Sequence, residues 1–474
     1  MGSLEMRMIT FVLALGALLP CGLARGSLSE PYLISGKGNN AFAFPDYALP
    51  TSSGYFTVDP LSSARLFYAF YEASEPAAQI SETPIILWLQ GGPGCSSMIG
   101  NFYELGPWRT ASDLQLHKNE FSWNKRFGLL FIDSPVGTGF SIAEKDEDIP
   151  TDQEQVAAQL YIALTSFFSL EPLLQSRPFF VAGESYAGKY VPALGYYYFM
   201  KQKLSLSVDI ELQESKEVSP KAAPFRLDGL IIGNGLTDPK VQVQSHADTA
   251  FSFGIIDMQQ RGEAQEKAKE IVKLVEEEDW HSAYNARTKL LNWIQHVGGL
   301  ATVLDIRRRV PYHCGADGVE FLKEFLGLNS VKTALKAEEQ IVWVPCSSRV
   351  GRIMANDTMK SVKWMIDELL QHNVPILLYQ GQFDIKDGVA SSEDWMRTLS
   401  WKGQEAFSST KRRLWQVGNV LAGYWRSYEA LTHVVVVGAG HEVPADQGLH
   451  SQKMIEEWIQ ERLIQLGLSK ISSE

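Results

Sequence analysis

Residues 181–192 read VAGESYAGKYVP. The apolar run PFFVA (178–182) leads into this stretch, and a pattern with helical spacing follows it. Between the two, Ser185 is flanked by Gly183 on one side and by Ala187 and Gly188 on the other. A strand that turns sharply into a helix crowds backbone against neighbouring elements, so only small residues fit around the turn. The turn is either an ordinary connection or a device that holds Ser185 up as a nucleophile.

The surrounding pattern sets the fold in which that turn sits. TPIILWLQ (83–90), FGLLFIDSP (127–135), LDGLIIGNG (227–235), VPILLYQGQ (374–382) and THVVVVGAG (432–440) are continuous apolar runs, each closed by Gly or Pro. Continuous rather than alternating runs belong to strands buried on both faces. Helical patterns lie between them, such as DQEQVAAQLYIALTSFFSL (152–170) behind an acidic first turn. The reading is an α/β fold with a mostly parallel central sheet and helices on both faces. GYFTV (54–58) and ARLFYAFYEAS (64–74) read as two further strands around a turn. Functional loops should gather at the carboxyl ends of the parallel strands, where the glycines are.

Two stretches break the rhythm. Residues 201–224 are polar and end in Pro, which reads as an exposed loop or excursion. Residues 240–345 contain charged helical patterns, such as EAQEKAKEIVKLVEEEDW (263–280), and no buried-strand run. The expected organisation is a core in two parts, 25–239 and 346–474, with 240–345 as a helical insertion. Ahead of it, Arg7 precedes an apolar run from Met8 to Pro20, and Gly22-Leu23-Ala24 offers small residues for cleavage. Residues 1–24 therefore read as a secretory signal peptide, the alternative being an uncleaved anchor. Once it is removed, no later segment is long and apolar enough to span a membrane.

Composition narrows the function classes. The 474 residues are 45% hydrophobic, ample for a large core, and the formal net charge is −12. An acidic chain without a basic patch argues against nucleic-acid binding. Of four cysteines, Cys21 falls in the signal segment, leaving Cys95, Cys314 and Cys346. Three allow at most one internal bridge and one spare thiol. No paired Cys/His spacing suggests a metal site, and no cofactor is implied. Asn356-Asp357-Thr358 makes Asn356 a candidate glycosylation site.

A serine nucleophile needs a base, and the base an orienting acid. On sheets of this kind the order along the chain is Ser, acid, His. After Ser185, Asp384 follows one glycine-ended run and His441 follows the last. Either residue alone has an ordinary loop role; three correct types, in order, at three strand ends make a triad the better reading. Asp387, the competing acid, reads as solvated loop. The glycine-rich LWLQGGPGCSSM (87–98) lacks the lysine of a phosphate-binding loop and suits an oxyanion hole instead, because glycine lets N–H groups approach a reacting oxygen.

WLQGGPGCSS, FIDSPVGTGFS, GESYAGKYVP, IIGNGLTDP and GAGHEVP, in that order, resemble the serine carboxypeptidases, and the resemblance runs from about Gly54 to Trp458. Gln90 and NFYELGPW (101–108) are similar to the plant serine carboxypeptidase-like branch related to vitellogenic-like carboxypeptidases. The resemblance implies an α/β-hydrolase fold with the helical insertion over the active site. It implies Ser185 as nucleophile, Asp384 as orienting acid and His441 as base, with backbone N–H groups of Gly92 and Tyr186 forming the oxyanion hole. Gln90, the Gly91 backbone, Glu104 and Glu184 would grip the terminal carboxylate of a peptide substrate. Position 90 is usually asparagine in the family, so the amide here sits one methylene further out. Glu442, directly after the base, would line the pocket for the leaving residue. The bridge implied by the family joins Cys95 to Cys346 and leaves Cys314 spare, while the usual two-cysteine clips of the insertion are missing.

The expected activity is that of a serine-type carboxypeptidase of the secretory pathway, extracellular or vacuolar/lysosomal, releasing C-terminal residues through an acyl-enzyme at acidic pH. The rivals are an acyltransferase using the same triad and an idle binding or protective protein. Relatives with acyltransferase activity tend to carry Asp at the position of Glu184, and an intact triad argues against idleness.

Overall fold

The computed structural model describes residues 42–214, 223–310 and 319–468. The expected signal peptide, Cys21 and Cys314 lie outside the described residues. Twelve strands are present among them: β1 Ser52–Thr57, β2 Arg65–Tyr71, β3 Ile85–Leu89, β4 Trp108–Thr110, β5 Leu116–Lys118, β6 Gly128–Ile132, β7 Phe179–Glu184, β8 Gly229–Gly233, β9 Ile376–Gly381, β10 Arg413–Val417, β11 Val420–Tyr428 and β12 Leu431–Val436. Ten form one sheet in the order β1-β2-β6-β3-β7-β8-β9-β12-β11-β10, and β4 and β5 pair separately. From β6 to β12 the pairings are parallel. Antiparallel strands flank this central block on both sides.

The apolar runs have the physical cause anticipated for them. Every residue of β3, β6, β7, β8, β9 and β12 is buried. Alternate side chains of each strand enter two different cores, as a pleated strand requires. Leu87, Leu130, Val181, Ile232 and Leu378 pack on one face. Trp88, Phe131, Ala182, Ile231 and Val434 pack on the other.

The helices are α1 Gln153–Phe168, α2 Pro172–Gln175, α3 Ala187–Glu214, α4 Pro239–Ser252, α5 Met258–Glu276, α6 Trp280–Val297, α7 Glu320–Gly327, α8 Asn329–Leu335, α9 Ser348–Ile353, α10 Lys363–Gln371, α11 Val389–Met396, α12 Gln404–Ser409, α13 Val443–Asp446 and α14 Gly448–Gln465. Helix α1 starts where the Asp152 carboxylate caps the N–H of Gln155 at 2.9 Å. Its Leu160, Leu164 and Phe167, with Leu194 of α3 and Leu369 of α10, cover the first face. Met454, Ile455 and Trp458 of α14 cover the second. Between β8 and β9 the named elements among the described residues are helices, joined by turns and loops, with no named strand. There Val243, Ala264, Ile271, Leu290 and Ile294 of α4 to α6 make a separate apolar core.

One expectation is corrected and one element is added. The loop expected at 201–224 begins as helix, because α3 runs unbroken to Glu214. Residues 201–214 contain no Gly or Pro and are rich in Lys, Gln, Leu and Glu, so nothing stops a helix already nucleated at Ala187. Residues 215–222 lie outside the described residues. The hairpin β10–β11 is an addition, not anticipated in LWQVGNVLAGYW (414–425). Among the described residues, no helix is long and apolar enough to cross a membrane.

Candidate active site

Ser185 stands at the carboxyl end of β7 with φ of 60°. That is the left-handed region, uncommon for a residue with a Cβ, and it persists only where the surroundings enforce it. The enforcement is visible. The Ser185 N–H donates to Gly233 O at 3.0 Å, and its carbonyl accepts from Leu236 N at 2.9 Å. The loop after β8 therefore holds the turn from both sides. A Cβ on Gly183 would lie 2.6 Å from Leu89 O, and one on Gly91 would lie 2.6 Å from Tyr186 N and 2.7 Å from Ser185 Cβ. The small residues around Ser185 are thus demanded by contact, and the glycine-rich loop touches the elbow.

Asp384 and His441 follow β9 and β12, neighbours in the parallel block that also contains β7. Their side chains meet in the interior, with His441 Nδ1 2.6 Å from Asp384 Oδ2. The same carboxylate oxygen accepts from Asn234 Nδ2 at 2.8 Å, while Asp384 Oδ1 accepts from Lys386 N at 2.7 Å. Burial pushes the Asp384 carboxyl upward, but the His441 charge and the hydrogen bonds from His441 and Asn234 outweigh it and hold the group below its ordinary value. Asn234 is a residue that sequence reasoning missed. It lies in the quoted IIGNG, and its φ of 42° marks a constrained polar residue at a strand end. Asp387 is a correction: instead of facing solvent, it is fully buried, 3.1 Å from Arg287 Nη2 of α6. Arg287, 100 residues away in sequence, is a partner that the sequence around Asp387 does not reveal.

The glycine-rich loop is fixed at several points. Cys95 is disulfide-bonded to Cys346, 251 residues away in sequence. On either side of the bridge, Ser96 N donates to Pro345 O and Ser347 N to Gly94 O, both at 2.8 Å. Buried Asp133 accepts from Ser96 Oγ at 2.6 Å and from the N–H groups of Ser97 and Phe140 at 2.8 Å. Gly92 thus sits between a covalent anchor and the elbow.

Beside the elbow lies a buried carboxyl cluster. Gln90 Nε2 donates to Glu184 Oε1 at 2.7 Å and to Glu104 Oε1 at 3.1 Å. Gln90 Oε1 in turn accepts from Trp88 Nε1 at 2.9 Å, which fixes which end of the amide faces the acids. The extra methylene of Gln90 therefore reaches both carboxyls. Burial pushes Glu104 up to about 7 against the opposing hydrogen bonds from Gln90 and Glu184. Burial, then the charges of Glu104 and Glu442, push Glu184 well above the carboxylate range. Glu442 is raised in the same way, by burial and by Glu104. One Oε2 on each of Glu104, Glu184 and Glu442 is buried without a hydrogen-bond partner among the described residues. Acceptors in that condition are costly, and a protonated carboxyl aimed at a ligand resolves the cost. Asn356 is exposed on a short turn, with Asp357 and Thr358 of the same sequon buried.

An imidazole held at Nδ1 by a buried carboxylate and a cluster of raised carboxyls beside the Ser185 turn are thus what the described residues bring together. Comparison with known proteins agrees in kind. The profile of the family described as serine carboxypeptidase matches residues 42–461. "Serine carboxypeptidase-like 50" of Arabidopsis thaliana is 46% identical over 419 residues, 88% of this chain and 89% of that protein. The human "Probable serine carboxypeptidase CPVL" is 31% identical over 427 residues, 88% of this chain and 84% of that one. Among solved structures, KEX1(DELTA)P, a prohormone-processing carboxypeptidase from Saccharomyces cerevisiae, superposes with a TM-score of 0.76 at 25% identity, covering 88% of this chain and 93% of that one. With its fold and most of its length matched, the chain belongs to the serine carboxypeptidase family.

Proposed function

We propose that the protein removes the C-terminal residue of peptides through a covalent acyl-enzyme on Ser185. His441 takes the Ser185 proton as Oγ attacks the last peptide carbonyl, and returns it to the departing amine. Asp384 keeps His441 in the tautomer with Nδ1–H toward the carboxylate and stabilises the imidazolium. The N–H groups of Gly92 and Tyr186 receive the negative charge that develops on the carbonyl oxygen. Water, deprotonated by the same histidine, then releases the shortened peptide.

The observation that carries the peptide-end specificity is the Gln90 amide spanning Glu184 and Glu104, one residue from the nucleophile. An ionised pair there would repel a substrate carboxylate. A pair that shares a proton donates a hydrogen bond to it instead, aided by the Gly91 backbone. Acidic conditions keep that proton. Glu442 lines the space for the leaving residue, and the helices of 240–345 act as a cap above the triad. An oxidising, acidic compartment of the secretory pathway, extracellular or vacuolar/lysosomal, suits both the Cys95–Cys346 bridge and the protonated cluster. The test is a set of N-blocked dipeptides as free acids and as amides, run at several pH values beside an acyl-glucose ester with an alcohol acceptor. Release of the terminal residue from free acids is the expected result. Transfer to the alcohol without peptide cleavage would replace this reading with the acyltransferase.

A further inference from the structure

The phenol of Tyr186 enters a buried polar knot built from Gln153, Lys189 and Asp357. Its hydroxyl donates to Asp357 Oδ2 at 2.6 Å. That single oxygen also accepts from Gln153 Nε2 at 2.7 Å and from Lys189 Nζ at 3.2 Å. Gln153 Nε2 lies 3.2 Å from the Tyr186 hydroxyl, and Lys189 Nζ donates to the Asp357 carbonyl as well. Tyr186, Lys189 and Asp357 are 2%, 0% and 2% exposed.

A buried ion pair is a poor way to gain stability, because desolvation offsets most of the attraction. An apolar side chain at position 186 would fill a core more cheaply. What the knot supplies is orientation. Tyr186 and Lys189 are three residues apart, on the same face of the first turn after Ser185. Asp357 holds that turn at two points, so the turn cannot roll about its axis without breaking a buried charge contact. Rolling is the motion that would swing the Tyr186 N–H.

Asp357 also lies on the chain segment that begins at Cys346, the covalent partner of Cys95 in the glycine-rich loop. Residues 346–357 therefore grip both sides of the site, the Gly92 side through a disulfide and the Tyr186 side through a carboxylate.

We propose that Asp357, with Lys189 and Gln153, is a positioning residue for the oxyanion hole, fixing the Tyr186 N–H against that of Gly92; this rests on the triad and oxyanion assignments proposed above. Asp357 acts through the direction of the Tyr186 N–H, which counts most once charge has developed on the carbonyl oxygen.

The test compares Tyr186→Phe, Asp357→Asn and the charge-neutral pair Lys189→Met/Asp357→Asn. Active enzyme is counted by fluorophosphonate labelling of Ser185. Each variant is measured for kcat, for KM on a blocked dipeptide, and for affinity toward a peptide aldehyde whose serine adduct puts its oxygen in the hole. The expected result is a kcat roughly 10- to 100-fold lower per labelled site, with KM within about twofold. Aldehyde affinity falls by the same factor as kcat/KM. Tyr186→Phe loses one hydroxyl only and decides the matter if Asp357→Asn does not fold. An unchanged kcat per labelled site in the folded variants overturns the proposal, as does a fall in kcat with unchanged aldehyde affinity. Full activity in Ser185→Ala would instead overturn the underlying triad.

Discussion

Gln90 reaches Glu184 with its amide nitrogen 2.7 Å from the carboxyl oxygen, so the residue before the nucleophile is held by a side chain from the glycine-rich loop. This contact makes the acid cluster and the elbow one unit. On the proposed reading, a proton lost from the cluster should alter substrate binding without touching the triad.

Activity on free-acid peptides should be highest in acid and decline as pH rises through about 7, the value to which burial lifts Glu104. Peptide amides, which have no terminal charge, should not follow that decline. Glu184→Ala should slow free acids more than amides by roughly 10- to 150-fold, the worth of a charged hydrogen bond of about 1.5–3 kcal/mol. Gln90→Asn, which keeps the amide, should alter the ratio less. Equal slowing of acids and amides by Glu184→Ala would make Glu184 merely structural.

Stability should share the acid preference. Glu104 is raised from 4.5 to about 7 on folding. A raised carboxyl contributes stability that is complete below the unfolded value and is lost as pH climbs through the folded one. That loss falls between the ordinary value of 4.5 and about 7. Thermal melts across that window should show Tm falling with pH, and Glu104→Gln should flatten the slope. A slope unchanged by the substitution would locate the titration elsewhere.

Ser185→Ala should abolish turnover, on the order of 10⁶ in rate, and fluorophosphonate labelling with it. The lost hydroxyl leaves almost no cavity, so the melt should barely move. A variant with a tenth of the activity would remove Ser185 from the nucleophile role.

Asn234→Ala removes the donor to Asp384 Oδ2. One hydrogen bond to a buried charge is worth about 1.5–3 kcal/mol, so kcat should fall roughly 10- to 150-fold. Because that bond helps to hold Asp384 low, the acid limb of the kcat profile should also shift upward in pH. Loss of activity with an unmoved limb would mean that Asn234 serves only the loop.

Glu442→Met should change the preference between leaving Lys and leaving Leu. Glu442 keeps its proton in acid, through burial and the charge of Glu104. The wild-type preference for Lys over Leu should therefore grow with pH, and the variant should show no such trend. Parallel pH curves for the two substrates in both enzymes would place Glu442 outside the leaving pocket.

The fold was legible wherever burial on two faces left no choice of residue. Leu230 to Ile232, Ile376 to Tyr379 and Val434 to Val436 are apolar because helices press on both sides, and the glycines mark where the strands stop. The hairpin β10–β11 was less legible because its burial is one-sided. Leu414 and Val420 are exposed, so apolar residues do not mark one face. A better signal was Gly418-Asn419 between two runs of β-formers, with Gly418 at φ of 60°. Long-range partners were legible least. Nothing near Asp387 announces Arg287, and nothing near Tyr186 announces Asp357, since a buried charge chooses its partner across the fold. Residues 201–214 were misjudged because polarity was read as loop, although helix propensity does not require an apolar face.

The Cys95–Cys346 bridge also imposes a schedule on the making of the enzyme. The chain is synthesised from its amino end, so the Cys95 thiol is complete 251 residues before its partner exists. At typical rates of about 5–20 residues per second, that is a wait of roughly 13–50 s. Cys314 emerges 32 residues ahead of Cys346, since 346 minus 314 is 32. The wrong partner therefore has a head start of roughly 2–6 s at the same rates. Correct pairing depends on Cys95 staying unpaired through that interval, until Cys346 is made. Removing the early competitor by Cys314→Ser should therefore raise the yield of correctly bridged enzyme while leaving the activity of each finished molecule intact.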